Sequence, residues 1–217
     1  MKKNIFGFSK KPNFSGELLL MRRGVRYIAG VDEVGCGPIA GPVIAASVIL
    51  NHEALPDGLD DSKRLSARKR AVLYDVILSK ALAVSVAGLS ACSIDKSGIR
   101  FCSLEAMRRS IDALSIPPDY VLVDGCSVPH GLSCSASAWI KGDQRFISIA
   151  AASIIAKVVR DRMMVEAGIA YPLYQMERHV GYATVMHRQR LHEKGPVRGL
   201  HRYSFAPIKW KLLDEVI

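Results

Sequence analysis

Two stretches of the chain are apolar almost without interruption, Tyr27 to Val31 and Val43 to Leu50. Between them Gly35, Gly37, Pro38, Gly41 and Pro42 break the run. The pattern predicts two strands joined by a glycine-rich turn, with Asp32 and Glu33 at the end of the first. Beyond them Val72, Leu73, Val76 and Ile77 recur as a helical stripe, giving a helix from Ala67 to about Lys80 with Ser66 as its N-cap. Leu82 to Leu89 alternates as a strand does, and Leu104, Met107, Ile111 and Leu114 mark a second helix from about Ile99, ended by Pro117 and Pro118. Tyr120 to Val123 is a short apolar strand finishing in Asp124-Gly125, followed by a loop that contains Trp139. A long helix then starts near Gln144, with Ala150, Ala151, Ala152 and Ser153 small enough for close packing and Asp143 as its cap.

A short helix near Glu17 to Arg22 precedes the strands, behind a loose basic lead over residues 1 to 14. From about Tyr171 the helical signal is strong only between Ala183 and Lys194. Many cations gather there: Arg178, Arg188, Arg190, Lys194, Arg198, Arg202, Lys209 and Lys211. This part is read as a helical appendage suited either to gripping a phosphate backbone or simply to being solvated. A strand, a helix and a strand in succession imply parallel pairing by crossover, with the working site beyond the carboxyl ends of the strands. Asp124 is therefore expected on the same edge as Asp32 and Glu33.

Neighbouring carboxylates point to opposite faces of a strand unless its pleat breaks, and a strand end followed by glycine allows that break. An isolated Asp-Glu pair also fits a capped turn beside a solvated glutamate. Four acids converging, Asp32 and Glu33 from a strand end, Asp124 from a neighbouring strand end and Asp143 from a helix start, tip the reading. Such a group repels itself unless cations compensate, and it suits two divalent ions roughly 4 Å apart for in-line phosphodiester displacement. Magnesium fits an all-oxygen site that retains waters.

The 217 residues suffice for one folded domain, and 49% hydrophobic with 23% charged residues is ordinary for a globular chain. Thirty basic against 20 acidic residues, a net charge of +10, suggest a polyanionic partner, with nucleic acid ahead of membrane. Lys10 and Lys11 interrupt the basic start before a secretory core develops, and Pro38 to Leu50 is too short to span a bilayer. Five cysteines without a Cys-x-x-Cys pair fit free thiols in the cytoplasm. Cys126, His130 and Cys134 match no common zinc spacing and lack a fourth ligand.

AGVDEVGCGPIAGPV at 29–43, DSKRLS at 61–66, VLVDG at 121–125, KGD at 141–143, SIAAASIIAKVVRDR at 148–162, GYATVMH at 181–187 and HRYSFAP at 201–207 together closely resemble ribonuclease HII of the bacterial type. The resemblance spans about residues 24 to 207. It implies an α/β, ribonuclease H-like mixed sheet flanked by helices, with a core over about 24–170 and a C-terminal helical part over about 171–217, in one domain. It further implies a monomeric, Mg2+- or Mn2+-dependent endonuclease that cuts RNA in RNA-DNA hybrids and at single ribonucleotides in duplex DNA, leaving 3′-hydroxyl and 5′-phosphate ends. The four family metal-binding acids fall on Asp32, Glu33, Asp124 and Asp143. The turn that reads the ribose 2′-hydroxyl through backbone amides falls on Gly35, Cys36 and Gly37. The sugar-packing tyrosine falls on Tyr182, and a segment near the nucleic-acid backbone falls on Ser62 and Lys63. Without the resemblance Tyr182 would be assigned to the core.

Cys36 stands where the family usually has arginine, Gly98 where it often has asparagine, and Ala183 where it often has glycine. Three other readings are weighed against this one. Ribonuclease HIII would bring an extra N-terminal domain, and only about two dozen residues precede the first strand here. A hybrid-binding module without catalysis does not need four acids. A small-molecule phosphatase does not need the basic C-terminal part.

Overall fold

The computed structural model describes residues 11–209; most of the basic lead and Lys211 lie outside them. Five strands, β1 (Ile28–Val34), β2 (Val43–Ile49), β3 (Ala83–Leu89), β4 (Tyr120–Asp124) and β5 (Ser135–Trp139), form one sheet in the order β3-β2-β1-β4-β5. β1 to β3 are antiparallel neighbours, as the short glycine turn after β1 requires, whereas β1, β4 and β5 run parallel. Parallel pairing of β1 with β4 brings the carboxyl end of β4 beside that of β1, as expected. β5 is a correction, since Trp139 closes a strand rather than sitting in a loop. Its sequence, SASAW, is short and small-residued, and it survives as the sheet's edge strand with only partial burial.

Helices α1 (Ser15–Met21), α2 (Ala67–Lys80) and α5 (Ile147–Ala170) lie toward one face of the sheet, while α3 (Ala91–Ser97) and α4 (Ile99–Asp112) cover the other. The Ser66 hydroxyl caps α2 by accepting the Lys69 amide. Of the α2 stripe Leu73 and Ile77 are buried, but Val72 is 58% exposed, so the buried face is narrower than the pattern suggests. The seven-residue α3 has no long apolar stripe to announce it, and it ends at Gly98, whose φ of 81° favours glycine.

α5 crosses the sheet at backbone contact. A Cβ on Gly30 would run into the Ser148 and Ile149 backbone, which is why the Ala150–Ser153 segment can pack so closely. Asp143 does not cap this helix. It lies in a separate 3-10 turn, Gly142–Gln144, and the residue before α5 is Phe146, which makes no side-chain cap. The capping group comes from α1, where buried Glu17 accepts the Ser148 amide at 3.0 Å and its hydroxyl at 2.7 Å. Beyond α5 the chain forms a short turn at Pro172–Tyr174, then α6 (Met176–His179) and α7 (Val185–Lys194), the latter capped by Thr184.

Candidate active site

β1 continues through Val34 with regular pairing, Asp32 opposite Ala46 and Glu33 opposite Ala45. The pleat therefore does not break, contrary to the expectation from the following glycine. Asp32 follows Gly30 onto the α5 face, where the Ser153 hydroxyl hydrogen-bonds to its carboxylate. Glu33 follows Ala29 and Val31 onto the α4 face, where Ser103 and the Cys36 thiol, 3.6 Å from Oε1, are its neighbours. Between them stands half-buried Asp124 at the end of β4, its Oδ1 accepting the Gly142 amide at 2.6 Å.

Burial, then repulsion from Asp124, Glu33 and Asp143, raises the Asp32 carboxyl well above the ordinary range. Burial and Asp124 also raise Glu33, and burial with Asp124 and Asp61 raises Asp143 to about 6. One Glu33 oxygen, Oε2, is buried without a hydrogen-bond partner. Among the described residues no three of these acids converge closely enough to hold an ion unaided. They form a shared negative field split across the end of one strand. Its uncompensated charge and orphaned oxygen fit divalent cations as the missing partner, and all-oxygen donors suit magnesium or manganese.

The glycine turn borders this field. Gly35 has a φ of 95°, and a Cβ there would meet the Arg160 guanidinium and, at 2.7 Å, the Pro42 carbonyl. Among the described residues no hydrogen bond outside the strand ladders uses the amides of Cys36 and Gly37. The Tyr182 ring lies alongside, its Cε1 3.7 Å from where a Gly37 Cβ would be, and Tyr182 is 46% exposed. It is thus a surface ring at the turn and not a core residue.

The ribonuclease HII family model matches residues 29–208. The ribonuclease HII of Brucella ovis is 60% identical over 205 residues, covering 94% of this chain and 93% of its own. The chain belongs to the ribonuclease HII family. It is accordingly a ribonuclease H endonuclease, and the coarse activity that goes with the family is endonucleolytic cleavage of RNA in RNA-DNA hybrids. Two solved structures show the same fold. Ribonuclease H2 from Pyrococcus horikoshii OT3 superposes with a TM-score of 0.75 at 24% identity, covering 88% of this chain and 98% of its own. Bst ribonuclease HIII, solved with Mn2+, gives 0.68 at 20%, covering 87% and 70%.

Of the remaining residues expected at a ribonuclease HII site, Lys63 and Ser62 part company. Lys63 is exposed; partial burial lowers its affinity for a proton, but Asp61, Asp143, Asp32 and Asp124 outweigh this and raise its pKa, so its ammonium faces the acids. Ser62 is buried, with its hydroxyl 2.7 Å from that of Ser153, so it faces the protein interior. Arg202, counted from sequence among the phosphate-gripping cations, is also fully buried. Arg190 is paired with Glu193 at 2.8 Å. Cys126 and His130 are exposed. Asp61 was missed as part of the acidic field although it opens the DSKRLS segment. It is 5% exposed, accepts the Lys63 amide at 2.9 Å, and is held by the Gln144 amide group. Its signal was a fifth acid in a quoted motif.

Proposed function

We propose that the chain is a divalent-metal-dependent endonuclease that cuts RNA in RNA-DNA hybrids and at single ribonucleotides embedded in duplex DNA, leaving 3′-hydroxyl and 5′-phosphate ends. The observation that carries this is the position of Asp124, which ends β4 where β4 runs parallel beside β1 and so stands next to Asp32 on one face of β1 and Glu33 on the other, its charge adding to the burial that raises both. Asp32, Glu33, Asp124 and Asp143 would hold Mg2+ or Mn2+ there. When bound, the ions would supply water activation and charge neutralisation at the scissile phosphate.

The chain's own residues do the rest. The outward amides of Cys36 and Gly37 are placed to read a 2′-hydroxyl, the one group that tells RNA from DNA at a nucleotide. The Tyr182 ring packs against the neighbouring sugar, and Lys63 draws the substrate backbone toward the acids. No helix among the described residues is long and apolar enough to cross a membrane, and in this reading the enzyme works as a cytoplasmic monomer on replicated or repaired DNA. The test is a duplex carrying one ribonucleotide, incubated with Mg2+ or Mn2+ and with neither. A single metal-dependent cut with the stated ends is expected. Cleavage that persists in a chelator, or an uncut substrate, would reject the proposal.

A further inference from the structure

Two guanidiniums, Arg160 on α5 and Arg202 near the C-terminal end, are fully buried, and among the described residues neither has a carboxylate within ion-pair distance. Buried cations are ordinarily paired, because burial without compensation is costly. Here carbonyl oxygens compensate. Arg202 donates to Gly35 O at 2.6 Å, Cys36 O at 3.2 Å and Gly41 O at 2.8 Å and 3.0 Å. The carbonyls of the turn are thereby drawn inward, which leaves its amides outward. Arg160 donates to Pro42 O at 3.0 Å, Ala40 O at 3.1 Å and Val180 O at 2.9 Å. Its rigid fork therefore bridges the loop after the turn and the residue two before Tyr182.

The segment bearing Tyr182 needs such a bridge. Val180 has a φ of 44°, a conformation that a β-branched residue adopts only when its surroundings force it. Gly181 O accepts the Ile39 amide at 2.9 Å, and Tyr182 O accepts from the Thr184 amide and from the His187 Nδ1–H, both at 2.8 Å. Every carbonyl from Val180 to Tyr182 is thus held, two of the three by the turn loop or by the arginine beneath it. We infer that Arg160 is a positioning residue that locks the Tyr182 segment to the Gly35–Gly37 turn, with Arg202 bracing the turn from below. The inference rests on the reading of that turn and Tyr182 as the ribonucleotide-recognising surface.

Arg160→Lys keeps a cation but loses the fork. The test is a double-mutant cycle of Arg160→Lys with Tyr182→Ala, measuring kcat/KM on a duplex with one ribonucleotide well below each variant's Tm. Arg160→Lys alone is expected to lower kcat/KM about tenfold, and to lower it less than about threefold when Tyr182 is already alanine, because the clamp then has nothing to aim. Equal losses in both backgrounds make Arg160 a structural residue only and overturn the inference, as does an unchanged kcat/KM. If Arg160→Lys does not fold, Val180→Gly tests the same joint with both arginines intact. It relieves the strained φ but gives up the Val180 side chain's contact with the apolar cluster, so a Tm near the parent's with the same coupling to Tyr182→Ala is expected, and additivity overturns the inference. The underlying reading fails separately: Tyr182→Ala alone would then leave kcat/KM untouched, and the inference falls with it.

Discussion

Two adjoining regions of this molecule hold their polar groups by opposite means. At the carboxyl ends of the strands Asp32, Glu33 and Asp124 are carried on β1 and β4, whose flanking residues Ala29, Val31, Val121 and Val123 are fully buried and apolar, so packing and ladder hydrogen bonds fix the backbone while Glu33 Oε2 is left without a partner. Around the C-terminal end of α5 and beyond it, buried polar groups are set into a small apolar cluster that includes Met164, Met176 and Leu191. Besides the two arginines these groups include His179, His187 and His201, all buried. Their partners set the tautomers. His201 Nδ1 accepts the Val197 amide, so its Nε2–H donates to His187 Nε2 at 3.1 Å, and the His187 Nδ1–H passes on to Tyr182 O. His179 accepts the Gly181 amide, donates to Tyr174 O and stacks on His187 at 4.2 Å. The proposed metal site keeps an acid oxygen unsatisfied on a rigid frame, whereas the segment bearing Tyr182 is held by a hydrogen bond to each of its carbonyls from Val180 to Tyr182.

The contrast predicts that removing charge at the strand ends costs activity and no stability. Asp124→Asn should lower cleavage by about three orders of magnitude or more, on the order of 4 kcal/mol in the barrier. Its Oδ1 can still accept the Gly142 amide and its loss of charge relieves the repulsion on Asp32, Glu33 and Asp143, so the circular dichroism spectrum should be unchanged and Tm no lower than the parent's. Activity near the parent level would take Asp124 out of the chemistry, and a lower Tm would make it part of the frame.

The converse change breaks the frame and leaves the acids in place. Gly30→Ala pushes a methyl into the α5 backbone at Ser148 and Ile149, which cannot rotate away as a side chain would. A loss of about 3 kcal/mol or more in urea unfolding is expected, at the upper end of overpacking costs. A loss under about 1 kcal/mol would mean that α5 rides looser on β1 than the close approach implies.

The same contrast explains what the sequence disclosed. β1, β2 and β4 were legible because they are buried on both faces and read as continuous apolar runs, α2 because Leu73 and Ile77 recur at helical spacing, and Asp32, Glu33 and Asp124 as acids that end such runs. What failed depended on partners distant in sequence. Glu17 caps α5 from 131 positions away, a relation no local pattern carries, so the role fell to nearby Asp143. The split of Asp32 and Glu33 across the strand turned on whether one pleat broke. Arg202 looked like a surface cation because a buried arginine whose partners are carbonyls has no signature in composition or spacing. β5, on the edge, needed no apolar run.

The buried histidines should show their own weakness to acid. His187 and His201 are lowered to about 4, first by burial, from an ordinary value near 6.5. Both are neutral in either state above pH 6.5. Between pH 6.5 and about 4 these two histidines take up protons in the unfolded chain that the folded one refuses, so their contribution to stability falls across that window by up to about 3 kcal/mol each, against the opposite contribution of the raised Asp32, Glu33 and Asp143. Urea midpoints at pH 7.5 and 5.0 check this. His201→Gln, which does not titrate, should reduce the acid loss; an equal loss would move its cause elsewhere.

The smallest expected effect lies where the two regions meet. The Cys36 carbonyl is held by Arg202, while its thiol, pushed up to about 12 by burial and by Glu33, stays neutral beside the acids. Cys36→Arg adds the cation that the family usually has there, and the new guanidinium has two anions within reach, Glu33 and a substrate phosphate. If it takes the phosphate, binding measured with calcium in place of magnesium should tighten by up to about tenfold, and the salt dependence should steepen by nearly one unit of log-log slope. The cut should stay at the same phosphodiester, because the amides of Cys36 and Gly37 survive the change. If it takes Glu33 instead, the slope stays as it was and cleavage falls, because an acid of the proposed metal site has been neutralised from within the protein. The slope separates the two outcomes, since pairing inside the protein releases no counterions from the nucleic acid.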